Sequence, residues 1–168
     1  MPEIIAIIGR SGSGKTTLIS KILPLLAKRG IRTGTIKQTH HRVELDTPKK
    51  DSFIHRESGS LKTALLTPDQ FALYGNLEIS GLRNFADTYF SDMDLVIAEG
   101  FKNENVLKME VIREGLNKTP VHKEMNFKIQ AVITDMEIQK IKEEIDQDVK
   151  ILNLNRPEEV LELVLQLI

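Results

Sequence analysis

The sequence predicts an α/β fold in which helices cover both faces of a mostly parallel, twisted sheet. Short apolar runs alternate with amphipathic segments along most of the chain, which is the pattern of parallel strands joined by crossover helices. The first run, at residues 4–8, is continuously apolar, as in a central strand buried on both faces. It leads directly into a glycine-rich loop and then an amphipathic helix. This strand, loop and helix together predict the P-loop NTPase class of α/β fold.

The glycine-rich loop has the spacing G-x-x-x-x-G-K-T, which is typical of a phosphate-binding P-loop. Its glycines permit backbone angles and close approaches that side chains would prevent. The loop N–H groups and the positive end of the next helix can therefore face a phosphate. We expect Lys15 to bridge the β- and γ-phosphates and Thr16 to ligate Mg²⁺. The predicted nucleotide-binding residues here are Gly9, Arg10, Ser11, Gly12, Ser13, Gly14, Lys15, Thr16 and Thr17.

The other elements follow from apolar spacing and from residues that begin or end helices. The helix after Gly14 carries a broad apolar stripe, should kink at Pro24 and should end at residues 28–30, where a glycine follows two basic residues. Further strands are predicted at 33–37, 94–98, 108–113, 129–134 and 149–154, and further helices at 51–59, from Ser80 to about Phe90, and from Pro157 onward.

Length, charge and cysteine content narrow the classes of protein and partner. A chain of 168 residues suits a single domain, and two short strands at 62–67 and 71–74 predict an insertion near 60–76. The formal net charge of -1 gives no reason to expect nucleic acid or an anionic membrane as partner. No apolar run approaches the roughly 20 residues that span a bilayer. The absence of cysteine and of a signal peptide leads us to expect a cytoplasmic protein.

A second element of the phosphate site is predicted at the end of the strand over 94–98. A P-loop needs a partner that holds Mg²⁺ or its water from the end of a neighbouring strand. Glu99 lies at that end, where parallel sheets place their chemistry. Asp94 lies at the start of the strand, roughly 16 Å away if extended, so we interpret it as a strand-entry or capping residue. Glu99 is therefore predicted to be a metal ligand and a catalytic residue, together with Lys15.

The polar segment after the second strand contains further candidates. Thr39, His40 and His41 could contact a phosphate, a pterin or a metal, or could form a polar loop that caps backbone groups. Adjacent histidines do not face one way in a strand, so we do not expect a zinc site. Asp51 could act in catalysis and hold Mg²⁺ through water, or could cap the helix that begins there.

Four more side chains, one in the P-loop and three in later segments, are also candidates. Arg10 could act across a dimer as an arginine finger. Asp135 follows a predicted strand and could pair with the N1–H and amine of guanine, or could cap the next helix; the full Asn-Lys-x-Asp signature of guanine sites is absent. Lys102 and Arg113 could contact the phosphates of a nucleotide or a pterin, or could be solvated.

Several of these segments recur in the same order in one known family. They are the P-loop at 9–17, Lys37-Gln38-Thr39-His40-His41, the segment 46–59 with its Lys50-Asp51-Ser52 core, and the segment 94–102 that ends in Glu99-Gly100-Phe101-Lys102. On these residues, and on the stretch 108–113 with Glu110 and Arg113, the chain resembles the molybdopterin-guanine dinucleotide biosynthesis protein B (MobB) family over nearly its whole length. The P-loop alone is generic, whereas the second and fourth segments together are much more specific.

The resemblance implies a GTP-binding accessory protein with at most weak, Mg²⁺-dependent GTPase activity. Such proteins act in the final steps of molybdenum-cofactor maturation, where a GMP moiety joins molybdopterin. The implied partners are the guanylyltransferase MobA, which performs the transfer, and a second copy of the chain. Family homodimers contribute strands across the interface, for which residues 62–74 are our candidate. The resemblance favours functional roles for Lys37, Thr39, His40, His41 and Asp51, and GTP over ATP as ligand.

Two other functions fit the same fold. A small-molecule kinase would transfer phosphate to an acceptor. Such kinases usually carry an arginine-rich lid, but the segment between residues 102 and 126 contains a single arginine, Arg113. A nucleotide-dependent adaptor would use its dimer as a platform, with incidental hydrolysis. Binding of a pterin distinguishes the accessory protein from the adaptor, and phosphoryl transfer to an added acceptor would identify the kinase.

Overall fold

The computed structural model describes residues 1–39, 41, 43–76, 80–116, 119–142 and 145–168. The elements, in chain order, are β1 (Glu3–Gly9), α1 (Lys15–Lys28), β2 (Thr33–Lys37), α2 (Asp51–Glu57), β3 (Lys62–Leu66), β4 (Phe71–Gly75), α3 (Leu82–Tyr89), β5 (Leu95–Glu99), β6 (Leu107–Ile112), α4 (Val121–Met125), β7 (Ala131–Thr134), α5 (Ile138–Lys142), β8 (Lys150–Asn153) and α6 (Pro157–Leu167).

Six strands form one parallel sheet in the order β2-β5-β1-β6-β7-β8. This confirms the predicted fold class. The register brings the carboxyl ends of the strands together at one edge: Glu99 on β5 lies opposite Ile7 on β1 and opposite Lys37 on β2. The P-loop begins at the end of β1, so the phosphate-binding segment and Glu99 lie at the same edge of the sheet.

Two apolar cores lie on the opposite faces of this sheet. The first joins Ile5 and Ile7 of β1 to the stripe of α1 and to α6. The second joins Ile4, Ala6 and Ile8 to residues of α3, α4 and α5. Alternation along β1 thus supplies both cores, because successive side chains of a strand point to opposite faces. Burial of each large aliphatic side chain contributes about 1.5–3 kcal/mol to folding.

The chain divides into two compact units. The first comprises residues 1–38 and 81–168 and contains the six-stranded sheet. The second comprises residues 39–80 and contains α2 and the antiparallel pair β3-β4. Both predicted strands of the 60–76 insertion are present in the second unit, which extends beyond them at either end.

Some local features differ from the sequence-based expectations. Gly81, with a φ of 84°, is the N-cap of α3 rather than Ser80. Asp51 is the first residue of α2, whose N-cap is Lys50 instead. The helix α1 continues through Pro24, and the kink expected there stays a prediction. Across the described ranges, no helix is both long and apolar enough to cross a membrane.

Candidate nucleotide-binding site

The P-loop requires glycine at its first position for steric reasons. Gly9 has a φ of 142°, and a Cβ there would lie 2.5 Å from the carbonyl oxygen of Val111 on β6. Gly12 and Gly14 also have positive φ angles, of 78° and 96°, which side chains rarely adopt. Gly14 is the N-cap of α1, so the backbone of the loop leads directly into the positive end of that helix.

Hydrogen bonds to the backbone of the P-loop hold the side chain of Lys15 in place. Its Nζ donates to the carbonyl oxygens of Gly9, at 3.2 Å, and Arg10, at 2.8 Å. Burial lowers the pKa of Lys15 from its ordinary value; the Glu99 carboxylate opposes this shift, while Lys102 and Lys37 reinforce it. The predicted cations Lys37 and Lys102 are thus electrostatic neighbours of Lys15, and the cluster suits a ligand with several negative charges.

Glu99 joins this cluster from the end of β5. Thr16 donates its hydroxyl to the carboxylate, with both Oε1 and Oε2 at 3.0 Å from Thr16 Oγ1. Lys37 forms an ion pair with Glu99 at 3.2 Å. The side chain of Glu99 is 14% exposed and that of Lys37 is 62% exposed, so the carboxylate is mostly covered by protein while the cation is accessible to a ligand.

Thr16 and Glu99 fit the requirements of Mg²⁺. This ion prefers oxygen ligands in an octahedron with bonds of about 2.1 Å, so that adjacent ligands lie about 3.0 Å apart. The hydroxyl and carboxylate oxygens have this separation. Two protein ligands also leave positions for phosphate oxygens and water. Among the described residues, no group of three or more His, Cys, Asp or Glu could hold a metal, so this pair is the candidate.

Gln38 is a positioning residue that the sequence prediction did not single out. Its N–H donates to the Glu99 carbonyl at 3.0 Å, and its side-chain Oε1 accepts the N–H of Phe101 at 3.1 Å. Between these two residues, Gly100 has a φ of 98° and lies against Gln38. Gln38 therefore fixes the turn that follows Glu99. The feature of the sequence that could have identified Gln38 is its place in the Lys-x-Thr-His segment.

Arg10 contacts its own chain. Its guanidinium donates to the Thr119 carbonyl at 3.0 Å and forms a hydrogen-bonded ion pair with Glu124 on α4. An arginine finger must leave such partners to reach another subunit, so the geometry disfavours that hypothesis. Of the other predicted P-loop residues, Ser13 is buried, whereas Ser11 and Thr17 are exposed.

Asp135 and Arg113 are brought together at the ends of β6 and β7. Asp135 accepts the backbone N–H of Glu114 at 2.8 Å and pairs with Arg113 at 3.6 Å. Thr134, not Asp135, accepts the N–H of Met136. Asp135 therefore supports the loop after β6, instead of capping the next helix. Its side chain is 24% exposed, which leaves it accessible at the sheet edge.

The remaining candidates lie in the second unit. The hydroxyl of Thr39 accepts the N–H of His41 at 3.2 Å, as in a polar loop that caps its own backbone. His40 lies outside the described residues. The exposed Asp51 is in the first turn of α2. Asp46 instead anchors its segment, since its carboxylate accepts the Ser52 hydroxyl at 3.1 Å. Metal binding by Asp51 stays a prediction.

A family model described as "Molybdopterin guanine dinucleotide synthesis protein B" matches residues 4–135, which include the P-loop, Glu99 and Asp135. The chain belongs to the MobB family. It is 33% identical to the molybdopterin-guanine dinucleotide biosynthesis adapter protein of Escherichia coli strain K12, over 99% of this chain and 93% of that relative.

Solved structures agree with membership of the MobB family. A crystal structure of molybdopterin-guanine biosynthesis protein B is similar with a TM-score of 0.77 and 27% identity, over 98% of this chain and 99% of that one. The hydrogenase maturation factor HypB of Archaeoglobus fulgidus has a TM-score of 0.56 and 15% identity, over 98% of this chain and 88% of that one. This second likeness shows the fold alone.

Proposed function

We propose that this chain is a GTP-binding accessory protein with weak GTPase activity in the biosynthesis of molybdopterin guanine dinucleotide. The observation that carries the proposal is the cluster of Lys15, Thr16 and Glu99 at a P-loop, in a chain of the MobB family. Lys15 and the loop N–H groups would hold the phosphates, and Thr16 with Glu99 would hold Mg²⁺.

We expect slow hydrolysis because Gln38 and Arg10, a glutamine and an arginine near the P-loop, are already bound to other groups of the chain. Fast GTPases use a glutamine to orient water and an arginine to neutralise the transition state. In the described part of the first unit, Gln38 holds the N–H of Phe101 and Arg10 is paired with Glu124. Each would have to leave its partner to act. Catalysis would therefore rest on positioning and on Mg²⁺, which neutralises developing charge.

The base and the partners form the finer part of the proposal. Asp135, accessible at the end of β7, would select guanine, because a carboxylate accepts hydrogen bonds from both the N1–H and the amine. Molybdopterin and the guanylyltransferase MobA are proposed as partners because relatives of this chain are named adapter proteins of that biosynthesis. A second copy is proposed because β3-β4 carries exposed apolar side chains.

An equilibrium titration with GTP and with ATP, each with Mg²⁺ at one salt concentration, tests the proposal. GTP should bind more tightly than ATP. Lys15→Ala should weaken GTP binding at least tenfold, about 1.4 kcal/mol, with little loss of thermal stability, because the Lys15 ammonium contacts loop carbonyls, where it would meet phosphate, rather than the core. Lys21→Ala, a change at an exposed position on the same helix, is the matched control.

Each contrary result has a defined meaning. Equal or tighter binding of ATP would contradict the guanine assignment and would make a screen of phosphoryl acceptors for kinase activity the next step. If Lys15→Ala lowered thermal stability as strongly as affinity, Lys15 would be structural. Binding to MobA without binding of any pterin would favour the adaptor function over the accessory function.

A further inference from the structure

The side chain of Arg10 connects the P-loop to α4, a helix far away along the chain. Its guanidinium donates to the Thr119 carbonyl at 3.0 Å and to the Glu124 carboxylate, so it is held at two points of the same segment. The side chains of Arg10 and Glu124 are 29% and 54% exposed. Ion pairs with this much contact with water contribute little to the stability of a fold. The main effect of the pair should therefore be local, on the P-loop.

The carbonyl oxygen of Arg10 accepts two hydrogen bonds within the P-loop. They come from the N–H of Ser13 at 3.2 Å and from Lys15 Nζ at 2.8 Å. The guanidinium bound to α4 and the carbonyl that holds the Lys15 ammonium thus belong to one residue. A displacement of the Arg10 side chain would move that carbonyl as well. The contact with α4 therefore influences the position from which Lys15 meets a ligand.

The segment that holds Arg10 is itself anchored to β6. The Glu110 carboxylate accepts the N–H groups of Val121 and His122, at 2.6 and 3.0 Å, and pairs with His122 Nδ1 at 2.6 Å. Glu110 and Val121 are each 1% exposed, so water has little access to these bonds. In the sheet, Glu110 lies opposite Ile8, at the end of the strand that leads into the P-loop. Glu124 is thus carried by a helix that is fixed beside the loop.

We infer that Arg10 and Glu124 are positioning residues for the phosphate-binding loop. The pair fixes Arg10 to α4 and so holds the loop in the form that receives phosphate before the nucleotide arrives. A loop that is already ordered loses less conformational freedom on binding, which increases affinity. The inference rests on the proposed function, in which the loop binds the triphosphate of GTP. It gives Glu124, which lies outside the P-loop motif, an influence on nucleotide affinity.

Glu124→Ala tests the inference, because it removes the anchor and leaves the P-loop sequence intact. In calorimetric titrations of the full chain with GTP and Mg²⁺, affinity should fall about fivefold, a typical size for coupling between residues in contact. Arg10→Ala should give a similar or larger loss, and the double variant should bind no more weakly than Arg10→Ala alone. Glu3→Ala, at the amino end of β1 and so at the opposite edge of the sheet from the P-loop, is the matched control and should leave affinity unchanged.

Two further measurements distinguish positioning from a general loss of structure. In a Lys15→Ala background, Glu124→Ala should change GTP affinity less than about twofold, because the pair acts through the carbonyl that holds Lys15. Hydrogen exchange of the Ser13 N–H, followed by NMR without nucleotide, should be at least about fivefold faster in Glu124→Ala. Exchange of the amides of the buried strand β7 should not change.

The contrary outcomes separate this inference from the proposed function. Unchanged GTP affinity in Glu124→Ala would overturn the inference, because the loop would then need no such anchor. Tighter binding would also overturn it, by showing that the pair keeps Arg10 away from the phosphates. An equal loss of affinity with and without Lys15 would overturn the route through that residue. Failure of the original protein to bind GTP would contradict the proposed function alone, since exchange at Ser13 would still decide whether the pair orders the loop.

Discussion

Individual residues at the strand ends determine what the P-loop edge can bind. Glu99 is the most informative of them, because its carboxylate contacts Thr16 and Lys37 and influences Lys15. A single negative charge thus balances two lysines and supplies an oxygen for a divalent cation. Removal of that charge should separate metal binding from phosphate binding.

Glu99→Gln should abolish most of the gain in GTP affinity that Mg²⁺ provides, because an amide is a poorer ligand for a hard cation than a carboxylate. Affinity measured in EDTA should stay equal or increase, since Lys15 and Lys37 lose their balancing charge. GTP titrations with Mg²⁺ and with EDTA measure both effects. Glu3→Gln, at the amino end of β1, should change neither; equal losses with and without Mg²⁺ in Glu99→Gln would contradict a metal role.

At the scale of elements, the strands that deliver these residues are aligned by contacts far from the site. Asp94 precedes β5 and Arg32 precedes β2. The Asp94 carboxylate accepts the backbone N–H of Arg32 at 2.8 Å and two guanidinium N–H groups at 3.2 and 2.7 Å. This agrees with the interpretation of Asp94 as a strand-entry or capping residue, and the contact lies at the start of the register that places Lys37 opposite Glu99.

Asp94→Asn should lower the urea midpoint of unfolding at pH 7, and the difference from the original protein should shrink at acid pH. Hydrogen bonds from Arg32 lower the pKa of Asp94 from 3.8. A carboxyl with a lowered folded-state pKa stabilises the fold above its unfolded pKa, and that stability is lost as the pH falls through the folded value. Unfolding at pH 7 and pH 3 measures this. Asp148→Asn, at an exposed position outside the Arg32 contacts, is the control, and a difference independent of pH would contradict the ionic explanation.

At the scale of the whole molecule, the antiparallel pair β3-β4 leaves several large apolar side chains exposed within its own unit. Leu66 and Phe71 face each other in register and are 74% and 77% exposed, and Leu65 and Leu73 are also exposed. Two-stranded hairpins are marginal in isolation, and unpaired strand edges can pair with another chain. These features support the proposed homodimer.

Replacement of both Leu66 and Phe71 by Asp should shift the protein from dimer to monomer, because charge opposes burial of this surface. Light scattering coupled to gel filtration should give about twice the chain mass of 19.0 kDa for the original protein and one chain mass for the variant. Met125→Asp, at an exposed position in the first unit, is the control. A variant that keeps the dimer mass would place the interface elsewhere.

The sequence by itself determined the fold class, the P-loop and the place of Glu99 at the end of a strand, since each depends on local patterns. Alternation of strands and helices specifies a parallel sheet, and glycine spacing specifies the loop. The strands predicted at 33–37 and 62–67 from local apolar and turn residues are present as β2 and, one residue shorter, β3. The likeness of segments such as Glu99-Gly100-Phe101-Lys102 to one family was confirmed by the family match.

Only the tertiary structure decided which distant side chains meet. Arg10 pairs with Glu124, Asp135 with Arg113, and Gln38 with Phe101, at separations along the chain that carry no local signal. The strand order places β5 between β1 and β2, and that order alone brings Lys37 to Glu99. Local patterns specify elements, because neighbouring residues share a backbone conformation, whereas packing of the sheet specifies partners.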